Sequence, residues 1–413
     1  MDFIRRGSMA LLALSTLFVL IGPAQAGAAS RAVVTVQTAE VGSAGNPSVG
    51  VVPFTDAIYT SCDVAPTGGP ACQEVGGVSY DYGIGKLEVT ATQWVKFLNT
   101  IDPSGQDKHH LWVRTQSSSS WPEYGQTNFR KNAKPGRHYR VASKAWADKP
   151  YAFATFLSAA RFVNSLYNGR LLARKKTVHD GFKYTTYKVR LSRNSDTGMY
   201  TMKNRKATRS HKTGFVVPSQ DEWIKAAYYD PYGGGTYSYW KYPTNAGVFG
   251  DGTATAPNPT ELDVSTGDVT NQADQPLAGF KLSADQVPSW CPLVAQTSSG
   301  CSTTNPFKLS ASTYAKAFTG NLQTVGQALT TSPWGTLDQG GNAVEWTDTI
   351  TPPPSGRGGG RVWRRLHGGI SNSTAYQMWP SAIGLQPQDN VFYARTYPWL
   401  GIRIGVVGNL VPK

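Results

Sequence analysis

Apolar positions recur with a helical period in three short stretches of this chain. From Thr90 to Asn99, Trp94, Phe97 and Leu98 fall on one face, and Thr90 is placed to cap the N-terminus. From Phe153 to Tyr167 the spacing runs through Phe156, Ala160, Val163 and Leu166, then stops at Asn168-Gly169, a pair suited to closing a helix. From Ser219 to Tyr229, Ser219 followed three residues later by Glu222 makes a capping-box pattern, with Trp223, Ala226 and Ala227 turned inward. Alternation of period two marks a strand from Tyr184 to Leu191, which is expected to turn at Asn194 to Gly198 and return through Met199 to Met202. Asp230 to Thr313 is polar and rich in Gly, Pro and Thr. So long a stretch inside a domain points to a functional or metal-tied loop region, spanning 230–313. Pro352 to Gly360 is a second connector, and no internal repeat is present.

The mixture of 43 Gly, 26 Pro, 12 Trp, 20 Tyr and 15 Phe favours a loop-rich fold locked by large aromatic side chains over a helical bundle. Each aromatic can bury roughly 150–250 Å², so few regular elements are needed to hold long loops. Length alone admits two or three domains at ~150 residues each. The N-terminus differs in kind. Arg5 and Arg6 precede an apolar run from Met9 to Ile21, and Pro23-Ala24-Gln25-Ala26 supplies small residues where a signal peptidase inspects them. An apolar core of about 7–15 residues with that ending predicts a cleaved secretory signal over 1–26 and a secreted or periplasmic protein. An uncleaved anchor is the alternative. No later segment approaches the ~20 apolar residues of a membrane span.

Export changes the meaning of the four cysteines. Cys62 with Cys72 and Cys291 with Cys301 form two local pairs around short Gly/Pro/Ser-containing loops, and disulfides are their natural state in an oxidising compartment. Zinc is the rival, but neither pair has Cys-x-x-Cys spacing or a nearby histidine. The formal charge is +14, and much of the excess lies between Arg130 and Lys212, including Arg174-Lys175-Lys176 and Lys203 to Arg209. The hairpin expected around 170–213 therefore presents a basic surface, which attracts acidic polymers: anionic glycans, the cell envelope or, least in keeping with export, nucleic acid. A merely solvated basic hairpin is the plainer account.

Five separated segments, in order, resemble the formylglycine-generating-enzyme (sulfatase-modifying-factor) domain. Tyr82 to Thr90 looks like its opening strand and the turn into the first helix. Pro150 to Asn164, with Ala159-Ala160-Arg161-Phe162, resembles the second helix. Phe215 to Ala227 is similar to the family's Leu-Pro-Thr/Ser-x-x-Glu-Trp-x-x-Ala-Ala signature. Trp334 to Trp346 resembles the Gly-Asn-x-x-Glu-Trp block. Arg364 to Ser371, with Leu400-Gly401-Ile402-Arg403-Ile404, resembles the closing Arg-Gly-Gly-Ser strand and Gly-Phe-Arg terminus. The resemblance implies one domain over 33–408 with an α+β fold, a variant of the C-type lectin fold with little regular secondary structure.

The resemblance also implies chemistry. In the Gly-Asn-x-x-Glu-Trp block it places a structural calcium on the side chains of Asp338 and Glu345 and the carbonyls of Gly341 and Ala343, and hard oxygens of this kind suit that ion. The alternative is a glutamate hydrogen-bonded to loop amides beside a core tryptophan. A second calcium site of the family does not carry over, because Lys316 stands where an asparagine is expected and its charge would repel the ion. The family's oxidase holds copper(I) between two cysteine thiolates a few residues beyond the Gly-Gly-Ser strand. Soft thiolates are what that ion requires. Here Ser373 stands near the first thiol position and Gln377 or Met378 near the second, and no cysteine occurs after Cys301. Val344 replaces the aromatic before the glutamate, and Ile370 the serine of the strand. Copper, and with it formylglycine formation, is therefore not expected.

Substitute chemistries find little support. His109 and His110 are adjacent and His138, His179, His211 and His367 stand alone, with no His-x3-His-x-Glu iron motif. No Gly-x-Ser-x-Gly elbow supports a Ser/His/Asp triad. Asn372-Ser373-Thr374 matches a glycosylation acceptor, which would be a chance match in the exported bacterial protein that the resemblance implies. Two functions follow: a noncatalytic ligand-binding or envelope-associated module for a protein or glycan, or a divergent formylglycine-generating-type enzyme acting on an exported protein. Trp121, Tyr124, Trp379, Tyr393 and Trp399 are the loop aromatics available for contact in the first. Nothing positive favours the second.

Overall fold

Three capping boxes set where the helices begin. The structure, a computed structural model, describes residues 31–53, 58–59, 61–65, 71–113, 126–203, 206–233, 238–244, 257–260, 268–270, 277–278, 322–356, 360–369, 375–389 and 399–411. Helix α1 spans Ala91–Ile101, with the Thr90 hydroxyl accepting from Gln93 N and the Gln93 side chain accepting from Thr90 N. Helix α2 spans Phe156–Tyr167 on the same device, with Thr155 and Ser158. Helix α3 spans Gln220–Tyr228, capped by Ser219 and Glu222. Each box satisfies two N–H groups that a helix start would otherwise leave open. The sequence places α2 from Phe153, but Phe153 and Ala154 are extended: Phe153 bridges Leu400, and Ala154 N donates to Leu400 O at 3.0 Å. Periodicity cannot register that the Ala154 amide and the Ala152 carbonyl already have partners across the fold.

The principal sheet has six strands in the order β7-β12-β2-β1-β4-β3, namely Gly214–Val216, Gly405–Val407, Tyr82–Gly85, Val33–Val41, Phe182–Arg190 and Arg170–His179. Its central strand joins the chain's beginning to its end. β1 pairs antiparallel with β2 through Thr38 and Gly85 and with β4 through Val36 and Tyr187, while β12 pairs with β2 through Val406 and Gly83. Here the pairing differs from the hairpin expected of Tyr184 to Met202. β3 turns into β4 at Asp180-Gly181, where φ is +51° and +80°. An Asp-Gly pair with both φ positive suits the tight turn whose twist matches two antiparallel strands. Tyr200–Lys203 (β5) pairs instead with Lys206–Arg209 (β6). The buried Asn164 side chain holds the start of β5, accepting from Tyr200 N at 2.8 Å and donating to Tyr200 O at 2.8 Å and Ser195 O at 2.9 Å.

A second sheet, β10-β9-β8-β11, comprises Gly384–Pro387, Trp363–His367, Val344–Thr351 and Leu400–Gly401. Helices α1 and α2 bring Trp94, Phe97, Phe156 and Phe162 into one core with Val34 and Val36 of β1 and Trp346 of β8. Trp94 stacks on Tyr151 at 4.3 Å and 12°, and Trp346 donates its indole N–H to Ala154 O at 2.8 Å. Stacked aromatics of this kind each contribute about 0.5–1.5 kcal/mol beyond simple burial. With three helices and two principal sheets among the described residues, the architecture is α+β.

Cys62 and Cys72 are disulfide-bonded with Cα atoms 5.4 Å apart. The bond closes the loop between two strands, Ile58–Tyr59 and Gln73–Val75, that flank Val49–Val51 in a small sheet. Restricting a loop of that length in the unfolded chain contributes about 3 kcal/mol. Disulfides of this kind persist in oxidising, extracytoplasmic compartments. Cys291 and Cys301 lie outside the described residues. No helix among the described residues is long and apolar enough to cross a membrane.

Candidate functional site

Arg403 lies between the buried Ile402 and Ile404, and its own side chain is fully buried. A guanidinium has five N–H groups to satisfy. Nε donates to both oxygens of Glu345 at 2.9 Å, and Nη2 reaches Glu345 Oε1 at 2.7 Å and Leu337 O at 2.9 Å. Nη1 donates to Gly85 O at 2.8 Å and Lys86 O at 3.0 Å. From the other side Trp223 of α3 donates its indole N–H to Glu345 Oε2 at 2.6 Å. One cation thus joins the turn after β2, the turn before β8, β8 itself and, through Glu345, α3. The Coulombic attraction of Glu345, opposing the cost of burial, holds the Arg403 pKa above its ordinary value.

Two further carboxylates face this guanidinium. Asp338 accepts from Gln323 Nε2 at 2.8 Å and from Gly326 N, and burial pushes its pKa up to about 6. Glu88 is 2% exposed, and neither of its carboxylate oxygens has a hydrogen-bond partner among the described residues. Burial, then the negative charge of Asp338, drives its pKa well above the usual carboxylate range.

The calcium expected from the resemblance can be tested against this geometry. The turn is sharply folded, with φ of +57° at Asp338, +83° at Gly341 and +58° at Asn342. Calcium needs several oxygens free to converge on one centre. Both oxygens of Glu345 and both of Asp338 already accept from N–H donors, and the positive charge beside them is covalently part of Arg403. No group of three or more His, Cys, Asp or Glu among the described residues is arranged to hold a metal. The residues present do not fit a calcium on Asp338, Glu345 and the carbonyls of Gly341 and Ala343; the guanidinium does the work of the cation.

The strand that precedes the two missing thiol positions ends at His367. Its ring is buried, stacks on Trp223 at 5.3 Å and 24°, and has no hydrogen-bond partner for either nitrogen among the described residues. Burial, then the charge of Arg365, pushes its pKa down to about 3. Ser373, with Ile370 and Asn372, lies outside the described residues, as do Lys316, Trp121, Tyr124 and Tyr393. Gln377 is half-buried in a short helical turn, Ala375–Met378, and its backbone carbonyl sits against Gly369. Met378 is buried, and its carbonyl accepts from the Tyr228 hydroxyl at 2.6 Å. Trp379 is half-buried, with Lys241 Nζ 4.8 Å from its ring centroid, and Trp399 is half-buried as well. Of the expected site residues, the structure brings Asp338 and Glu345 together around Arg403. Sequence reasoning missed Glu88 and the part played by Arg403. The available signal was an ionisable residue inside an apolar run, Leu87-Glu88-Val89 and Ile402-Arg403-Ile404, where charge survives only with a reason.

What the fold and this site define is an α+β protein whose motif-bearing turns are joined at one buried, ion-paired arginine. No family model matches the chain, and no curated protein matches it. Among solved structures it is similar to Treponema denticola variable protein 1, at 15% identity over 90% of this chain and 95% of that one, with a TM-score of 0.41. It is also similar to PvdO from Pseudomonas aeruginosa, at 10% identity over 91% and 94% of the two chains, with a TM-score of 0.36. Likenesses at this level add nothing to the topology described above.

Three measurements test the site. Arg403→Met strands Glu345 as a buried, unpaired charge and is expected to lower stability by about 3–5 kcal/mol in urea unfolding. Arg403→Met with Glu345→Gln should cost less than the two single changes added together. Calcium chelation should leave the thermal midpoint unchanged, since no ion is needed at Glu345. His367 has a folded pKa below its unfolded value of 6.5, so its contribution is intact above pH 6.5 and is lost as pH falls toward 3. The expected slope is roughly 1.4 kcal/mol per pH unit in that window, and His367→Leu should flatten it in urea titrations at pH 7, 6 and 5.

Proposed function

We propose that this chain is an exported member of the formylglycine-generating-enzyme-like superfamily, with the family's C-type-lectin-like fold, that serves as a ligand-binding or envelope-associated module and not as a formylglycine-generating oxidase. On this reading residues 1–26 are a cleaved signal, 33–408 form the family domain, and the mature protein is secreted or periplasmic. The Cys62–Cys72 disulfide supports the compartment. Support for the family comes from the way its blocks meet. Gly85 and Lys86 of the first, Trp223 of the third, Leu337 and Glu345 of the fourth and Arg403 of the last share one hydrogen-bonded network.

The observation that carries the functional half is chemical. Copper(I) chemistry needs a pair of thiolates, and no cysteine occurs after Cys301, so the stretch that would supply them, with Ser373, Gln377 and Met378, has none. Of the four cysteines that do occur, Cys62 and Cys72 are consumed in a disulfide. Without that chemistry, the scaffold retains what a binding module needs, loops set over a rigid aromatic core.

The test is direct. Purified protein supplied with copper, oxygen and a sulfatase-derived cysteine peptide is expected to yield no aldehyde by mass spectrometry, while glycan and peptide arrays return a saturable ligand. Aldehyde formation at enzymatic turnover would overturn the proposal and restore the divergent-enzyme alternative.

A further inference from the structure

Among the described residues, the six-stranded sheet is covered on one face along only part of its length. Alternate residues of a strand share a face, so the pairings place Val406, Gly83, Thr38 with Glu40, Thr185 with Lys183, and Lys176 with Arg174 side by side. Toward one end of that face Val34, Val36, Val189 and Phe215 join the core beneath α1 and α2. Toward the other end a cavity of about 430 Å³ opens over Gly83, Thr38 and Thr185, with Trp334, Asp81 and Asn409 at its walls. Its size is that of an ordinary small-ligand site.

Its depth has a local cause. Gly83 sits in the middle of β2, and a Cβ there would lie 2.9 Å from Thr38 Oγ1 and 3.6 Å from Val406 Cβ. Without that atom the floor sinks to the strand backbone, beside the hydroxyl of Thr38. Trp334 forms part of one wall, its ring 3.6 Å from where a Cβ on Gly42 would lie. The opposite wall is the β3–β4 hairpin, which contributes three cations. Lys176 is paired with Glu40 at 2.8 Å. Arg174 donates to the neutral Asn409 at 2.5 Å, and Lys183 is exposed and forms no ion pair among the described residues. Two positive charges therefore border the trough without an acidic partner in contact.

We infer that this groove binds an anionic glycan, a short run of sugars carrying carboxylate or sulfate groups. An aromatic wall suits the C–H face of a pyranose, threonine, aspartate and asparagine groups suit its hydroxyls, and Arg174 and Lys183 suit its charges. A concave trough of this volume admits a single-stranded polymer edge-on, whereas a nucleic-acid duplex needs a broad surface tracking its phosphates. The assignment deepens the ligand-binding function proposed above and rests on it.

The test uses the full mature protein, titrated calorimetrically with a sulfated heparin-derived hexasaccharide, a hexagalacturonate, neutral maltohexaose and a single-stranded oligonucleotide of matched charge. Saturable binding to at least one acidic hexasaccharide is expected, none to maltohexaose, and affinity should weaken as salt rises. Lys183→Ser, at an exposed position, and Arg174→Ser are each expected to weaken binding about tenfold with thermal midpoints close to the parent. Trp334→Leu should weaken it at high salt as well, where charge is screened. Equal binding of maltohexaose, or stronger binding of the oligonucleotide lost in the same variants, would overturn the glycan assignment. Acidic-glycan binding indifferent to all three substitutions would remove the groove but leave the ligand-binding function standing. Failure of every acidic hexasaccharide would sink the groove proposal, while a ligand found on the arrays would still uphold that function.

Discussion

A charge taken out of water must be matched within the protein, and Arg403 is where this structure meets that demand most fully. Each of its nitrogens donates, to Glu345 and to the carbonyls of Gly85, Lys86 and Leu337. These groups come from the turns and strands that carry the chain's most distinctive sequence blocks, so those segments cannot take other positions without leaving a donor or a carboxylate unmatched. The buried ion pair specifies as much as it stabilises, because its desolvation cost is recovered only in this one geometry. Arg364 does comparable work on the second sheet. It bonds Asp348 at 2.6 Å and Ala207 O at 2.6 Å, with its guanidinium 3.6 Å from the centroid of the Phe156 ring.

The same economy of charge shapes the turn at Asp338 to Glu345. Both oxygens of Glu345 accept from Arg403, and Oε2 accepts from Trp223 as well, so this carboxylate is already matched by a cation of the chain itself. Glu88 shows the cost at its clearest, a carboxyl with no hydrogen-bond partner among the described residues, driven by burial and by Asp338 toward its neutral form. Charge that could not be neutralised inside stands at the surface, on the β3–β4 hairpin. There Arg174, Lys176 and Lys183 border a trough made deep by a strand glycine. Two parts of one sheet thus differ: one end packs beneath α1 and α2, and the other, among the described residues, carries the trough.

Part of this architecture is legible in the sequence itself. Helix starts at Thr90 and Ser219 could be read because capping depends on residues three apart in sequence. The Cys62–Cys72 pair could be read because its loop is short. Helix α2 begins three residues later than its periodicity suggests, because the Ala154 amide and the Ala152 carbonyl bond to Leu400, more than two hundred residues away. The Asp180-Gly181 turn was a readable signal that went unread, and with it the true partners of β4. The partner of Glu345 is not legible in the sequence, because a glutamate that serves an arginine and one that serves an ion have the same neighbours along the chain.

The amino-acid order by itself determined the local matters: three capped helices, a disulfide loop, an alternating strand, and the lack of thiols beyond Cys301. Those follow from interactions spanning a few residues, or from composition. Only the tertiary structure decided which strands pair, which cation answers Glu345, and where the sheet is left uncovered. Each of these depends on groups brought together from distant parts of the chain, and their energies exist only once water has been excluded between them.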